Sequence, residues 1–253
     1  MAHGTRKQQG IEMVGDIADR ASASLGRRVH VSFVDVLGPS PSEMLAQMPD
    51  EPVVLVPAFL SRGYHVTSDI PAHVDVSRHP DVTVTEALGP GPQLVRVVAD
   101  RLVESGWHQD DSVILAAAGT SDRGAQHDLH TMAASLSAVT GSRVELAFAA
   151  TGTPRVADAV AAMRRRGCGR VVVASYLLSE GLFQDRLRAS GADLVTAPLG
   201  THPGLVRLIA SRFSRARYSV EGSRQTGYPH RPAPARQHRP ESPGAHRGPG
   251  VLR

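Results

Sequence analysis

The 253-residue chain has one cysteine, one lysine and few aromatic residues, only 4% of the sequence. A single thiol, Cys168, excludes an intramolecular disulfide framework and any cluster held by four thiolates. No apolar run approaches the ~20 residues needed to span a bilayer, and the first residues do not read as a secretory signal peptide. A cytoplasmic protein with no membrane partner is the default expectation. Lys7 stands beside 27 arginines, a bias that a GC-rich genome explains without chemistry. The formal net charge of +4 is unevenly spread. Residues 214–253 hold eight arginines against Glu221 and Glu241, which leaves 20 basic and 22 acidic residues in the rest. The body of the protein is therefore near neutral, and its charge gives no case for a nucleic-acid partner.

What is present is a repeating order of short β-branched runs and amphipathic stretches. Residues 7–25 place Ile11, Val14, Ala18, Ala21 and Leu25 at helical spacing and stop at Gly26. Val29–Val36 alternates as a strand ending near Asp35. Ser40-Pro41-Ser42-Glu43 is a capping box with proline at the first helical position. A buried strand at 53–57 is followed by a loop with Gly63 and His65, and by a helix over roughly 69–78. A strand at 82–86 and a helix from about Leu94 to Val103 close the first half. The second half repeats the pattern, with strands at 112–117, 143–150, 170–174 and 193–197. Helices lie between them, and a last one covers 202–213. Alternation of this kind predicts an α/β protein whose parallel sheets are joined by right-handed crossovers.

The halves align on each other. Ala2-His3-Gly4-Thr5 matches Ala117-Ala118-Gly119-Thr120. Asp35 and Pro39 match Ala150 and Pro154, and Leu60-Ser61-x-Gly63 matches Leu178-Ser179-x-Gly181. The expected organisation is thus two duplicated lobes, 1–106 and 107–213, each a parallel sheet flanked by helices. The second lobe opens with a strand, Asp111–Ala116, before its Ala-Gly-Thr turn, whereas the first has only Met1 there. The first strand of lobe 1 is expected to be missing, either because the true start lies upstream or because the chain lacks it. Residues 214–253, with six prolines and no hydrophobic period, are expected to be a disordered Arg/Pro-rich tail. Its His230, His238 and His246 are too widely spaced for one ligand set.

Chemistry shows where the repeats differ. His3 faces Ala118, Asp35 faces Ala150 and His65 faces Phe183. All three polar residues lie at or just beyond the carboxyl ends of strands, the edge where open α/β sheets place ligands. Two imidazoles and a carboxylate form a first-row divalent-metal set, and open coordination positions suit a site that passes its metal on. Glu43 is the other carboxylate nearby, but its capping position accounts for it. His127 and His130 share a helix face that solvation explains.

Ala2-His3-Gly4-Thr5-Arg6, Phe33-Val34-Asp35 and Pro57-Ala-Phe-Leu-Ser-Arg-Gly-Tyr-His65-Val-Thr-Ser-Asp-Ile-Pro71 resemble the sirohydrochlorin chelatases of the small bacterial cobalt/iron type. The resemblance covers residues 1–213, including the degenerate second half. It implies a lyase that inserts Fe²⁺ or Co²⁺ into sirohydrochlorin, for siroheme or cobalamin, with no cofactor beyond the substrate metal. In that family two histidines and a carboxylate near the end of the second strand hold the metal, matching His3, His65 and Asp35. The histidines also accept the pyrrole protons. Many relatives carry Glu where this chain has the shorter Asp35. The many carboxylates of the substrate imply arginines near the cleft. Arg6 and Arg62 adjoin the histidine loops, and Arg123 holds the matching place in the other lobe. Tyr64 either stacks on the macrocycle or lines the loop. The resemblance leaves open a homo-oligomer and two rival readings: a non-catalytic metal-delivery protein on the same scaffold, and an inactive, N-terminally truncated chelatase.

Overall fold

The structure, a computed structural model, describes residues 1–225. Its second half is a four-stranded parallel sheet of β3 (Ser112–Gly119), β4 (Val144–Thr151), β5 (Val171–Tyr176) and β6 (Leu194–Val195), in the order β4-β3-β5-β6. Helices α5 (Arg123–Thr140), α6 (Val156–Arg165) and α7 (Leu182–Arg188) connect the strands. Val113–Ala117 of the central strand β3 are apolar and buried, because a strand with neighbours on both edges and helices on both faces is shielded from water.

The first half is built alike but has a thinner sheet. It contains α1 (Gln8–Leu25), α2 (Pro41–Ala46), β1 (Val53–Leu55), α3 (Ile70–Ser77), β2 (Val82–Val84) and α4 (Pro92–Glu104), with β1 and β2 paired in parallel. The expected strand over 29–36 reduces to one bridge, Ala2 with Phe33. Among the described residues no strand lies beside residues 29–31, so no ladder forms there. Only the last rung survives. The Ala2 N–H donates to Ser32 O at 2.9 Å and the Val34 N–H to Ala2 O at 3.1 Å. On the other side the Ala58 N–H donates to Met1 O at 2.8 Å. The Met1 amino group donates to Val56 O at 3.1 Å, and desolvation lowers its pKa from 8.0 to about 6.

The duplication is visible in single bonds. The Ala2–Phe33 bridge repeats as Ala117 with Phe148. The Ser22 hydroxyl donates to Ala18 O and accepts from the Val29 N–H, and Ser137 does the same with Ala133 and Val144. Phe33 N–H donates to Pro39 O, and Phe148 N–H to Pro154 O. The halves are joined by exchanged helices: α4 packs against α5 and β5, while α8 (Pro203–Gln225) packs back against α1, α4 and β1. One core cluster therefore runs through both halves, containing Ile17, Leu94, Leu102, Leu115, Leu136 and Leu205. Burying each such side chain contributes about 1.5–3 kcal/mol.

The tail expectation needs correction at its start. Helix α8 continues through Gln225, past the boundary placed at 214, because the prolines that set the tail's composition begin only at Pro229. The expectation of disorder for residues 226–253 lies outside the described residues. Phe213 and Arg217, one helical turn apart, both line a cavity in the first half. A chain cut after Phe213 is accordingly expected to melt a few degrees below one cut after Gln225, as read by calorimetry; equal values would mean that the last turns of α8 stabilise nothing.

Candidate metal centre

His3, Asp35 and His65 come together as the sequence comparison expects. One ligand atom from each lies within 4.8 Å of the others, and among the described residues no other group of three metal-ligating side chains meets. Metal–ligand bonds of about 2.0–2.2 Å allow ligand atoms up to about 4.2 Å apart, so a small inward movement suffices to share an ion. His3 Nε2 and Asp35 Oδ2 lie 3.2 Å apart. The imidazoles sit edge to face, 5.4 Å between centroids.

Each ligand is aimed by its own surroundings. The His3 Nδ1–H donates to Gly4 O at 2.9 Å, which leaves Nε2 as the free lone pair. Asp35 Oδ1 accepts the Gly4 N–H at 3.1 Å. Gly4 is required here by close approach, since a Cβ on it would lie 2.2 Å from Asp35 O. Its counterpart Gly119 is equally tight, 1.8 Å from Thr151 O. Gly4→Ala is therefore expected to push the Asp35 loop outward and weaken Co²⁺ binding at least about tenfold, within the range seen when groups supporting metal ligands are lost. An unchanged titration isotherm would show that the loop yields without moving its carboxylate. Beside Asp35, Val36 adopts φ 66°, a left-handed conformation that β-branched residues avoid and that persists where surroundings enforce it.

His65 opens one π-helical turn, His65–Asp69, that runs directly into α3. Such wide turns concentrate at functional sites. The turn puts Asp69 on the same face, where its Oδ2 accepts from His65 Nδ1 at 2.6 Å. That bond fixes the tautomer and directs Nε2 toward His3 and Asp35. Phe59 stacks on the imidazole at 5.8 Å. The loop carrying His65 is braced by the second half. Tyr176 of β5 donates its hydroxyl to Leu60 O at 2.8 Å. Asp128 of α5 accepts the Arg62 N–H at 3.0 Å and Arg62 Nε at 3.1 Å through Oδ2, and Arg62 Nη2 at 2.6 Å through Oδ1. Burial pushes the Asp128 carboxyl up, but the Arg62 side chain and backbone N–H more than offset it and hold it below the usual range.

Arg62, expected to meet substrate, ties its own loop to α5: Asp128 takes both its backbone N–H and its guanidinium, and the Arg62 side chain is still 64% exposed. Arg6 and Arg123 are exposed and form no ion pair among the described residues. Tyr64 is 66% exposed, beside the imidazole at 6.4 Å between centroids. Glu43 does cap α2: its Oε2 accepts the Ser40 N–H at 2.8 Å, and this backbone hydrogen bond, with that from the Ser40 hydroxyl, lowers its pKa. His127 and His130 are exposed on α5. Asp69 and Asp128 were not foreseen as site residues. The i, i+4 spacing from His65 to Asp69 was a usable signal; nothing local pointed to Asp128.

In the second half the same geometry carries Ala118, Ala150 and Phe183, so one lobe holds the reactive set and the other supports it. The CbiX family model matches residues 1–105 and again 112–216. The chain is 24% identical over 229 residues to the sirohydrochlorin ferrochelatase of Priestia megaterium, covering 83% of this chain and 86% of that protein. It is 27% identical over 124 residues to the sirohydrochlorin cobaltochelatase of Methanothermobacter thermautotrophicus, 40% of this chain and 87% of that one. Among solved structures, SirB from Bacillus subtilis with Fe³⁺ superposes with a TM-score of 0.74 at 20% identity, covering 87% of this chain and 95% of SirB. With both halves matched by one family model and the fold shared along nearly its whole described length, the chain belongs to the CbiX family of sirohydrochlorin chelatases.

Proposed function

We propose that the chain inserts Fe²⁺ or Co²⁺ into sirohydrochlorin, with the ion held first by His3 Nε2, His65 Nε2 and an Asp35 oxygen. The observation that carries this reading is the meeting of those three atoms in the first half alone, on a scaffold whose second half has lost all three. The set is weakly enclosed, with His3 51% exposed, which suits an ion that must leave. Insertion replaces protein ligands with four ring nitrogens and releases two N–H protons. As each imidazole gives up the metal, its Nε2 regains a lone pair and accepts a proton, which then passes to solvent. Asp69 keeps His65 facing the ring during this exchange and stabilises the imidazolium.

Two exposed apolar side chains flank the ligands, Val36 and Tyr64, 50% and 66% exposed, and give the macrocycle a face to rest on. The exposed cations Arg6 and Arg123 would meet its peripheral carboxylates, with charge-assisted hydrogen bonds as the attraction. The test is an absorbance assay with purified protein, sirohydrochlorin and each metal in turn. Conversion of many ring equivalents per chain supports the proposal; stoichiometric metal uptake without turnover would favour a metal-delivery protein instead.

A further inference from the structure

In the second half Ala118, Ala150 and Phe183 replace the metal ligands, yet a cation stands beside them. Arg186 lies on α7. Its guanidinium carbon is 5.6 Å from the centre of the Phe183 ring, and its Nη1 donates to Ala149 O at 3.2 Å. That carbonyl faces β3. The Phe148 N–H donates the other way, to Pro154 O, and successive residues of a strand turn their backbone groups to opposite edges. The guanidinium therefore sits at the carboxyl ends of β3 and β4, the counterpart of the place where His3 and Asp35 meet in the first half. Helix α7 packs on β4 as well as on β5 and β6, which brings Arg186 there.

Arg186 does more than fill the space. It is exposed, and among the described residues it forms no ion pair; the adjacent Asp185 is held by Lys7. A guanidinium presents a planar fork of donors, and Nε and Nη2 stay free for an anion. The hydrogen bond and the aromatic ring position the group in advance, so less freedom is lost when it binds. Its surroundings adjoin the metal centre. A Cβ on Gly181 would lie 3.1 Å from Thr5 Oγ1, and the Lys7–Asp185 pair ties the chain after His3 to α7. Leu182, 57% exposed, answers in the repeat to Tyr64, 66% exposed, so each half shows an apolar side chain just before its His65 or Phe183 position.

We propose that Arg186 is a fixed anchor for a peripheral carboxylate of the macrocycle, a permanent cation in the half that lost its metal ligands. This rests on the reading that sirohydrochlorin is the substrate. Apolar contacts alone leave a flat ring free to turn in its own plane. A carboxylate held by the fork of Arg186 stops that rotation while the first half delivers the ion.

The test titrates metal-free protein with sirohydrochlorin under anaerobic conditions, followed by absorbance, so that binding is read without turnover. Arg186→Gln is expected to weaken binding at least about tenfold, the range for loss of a charge-assisted hydrogen bond, and to raise KM more than it lowers kcat. Arg186→Lys, which keeps the charge without the fork, should recover part of the affinity. Co²⁺ affinity and Tm should match the parent in both variants. The methyl ester of the macrocycle, which has no carboxylate charge, should bind the parent and Arg186→Gln equally. Equal affinity of the parent and Arg186→Gln for sirohydrochlorin, or the same loss with the ester, would overturn the anchor. Arg186-dependent binding in a protein without turnover would uphold the anchor and remove the chelatase reading. Turnover with an unshifted KM in Arg186→Gln would do the reverse.

Discussion

Replacing His65 with alanine is expected to abolish metal insertion, a loss of at least about a thousandfold, and to leave Tm within about 6 °C of the parent. The imidazole supplies one of three ligand atoms and accepts a proton in the step that follows, and positioned acid–base groups alone contribute about 10²–10⁴-fold. Its structural share is small. It makes one hydrogen bond, to Asp69 at 2.6 Å, and a stacking contact with Phe59; a bond of that kind contributes about 0.5–1.5 kcal/mol, or 2–4 °C per kcal/mol for a chain of this size. The second half already shows the loop forming with Phe183 at the same place. Near-normal turnover of His65→Ala with both Fe²⁺ and Co²⁺ would remove the imidazole from the mechanism.

Asp128→Ala is expected to have the next largest effect, although Asp128 lies in the half without metal ligands. Asp128 is 1% exposed and holds both the backbone and the guanidinium of Arg62, three residues before His65. Removing one member of a buried pair costs about 3–5 kcal/mol. Here Arg62 is 64% exposed and regains water, so the loss should be nearer 2 kcal/mol, about 4–8 °C in Tm. Turnover should fall about ten- to a hundredfold because the His65 loop loses its brace. Asp128→Asn, which keeps an acceptor, should recover part of the rate. The carboxyl is held below its unfolded value, so its stabilisation is present above the unfolded pKa and is lost as acidification passes through the folded one. The alanine variant should therefore show a shallower decline in stability below about pH 4. A parallel decline in both proteins, with an unaltered rate, would reduce Asp128 to a surface contact.

Much of the site was legible in the sequence for a physical reason. A duplicated chain carries its own control, so the three positions where polarity is kept in one copy and lost in the other stand out without a structure. The capping box at Ser40 and Glu43 was equally readable, since both its bonds lie within four residues. What stayed hidden depended on distant partners. Val29, Val31 and Phe33 alternate as a strand should, yet a strand needs a neighbour, and among the described residues none pairs with 29–31. The pairing of Arg62 was hidden because sequence cannot show that α5 brings Asp128 to it. The course of α8 was missed because composition averaged over forty residues hid a proline-free start.

The central claim is that His3, Asp35 and His65 hold one divalent ion and hand it to sirohydrochlorin. A single-turnover transfer tests it most directly. The protein is loaded with one equivalent of Co²⁺, stripped of free metal, mixed with sirohydrochlorin under anaerobic conditions, and followed by absorbance. The account predicts that the bound ion appears in the macrocycle in one exponential phase, with one equivalent transferred per chain, and that this phase is absent from a His3→Ala, His65→Ala double variant. Cobalt that stays on the protein, or transfer at the same rate in the double variant, would contradict it.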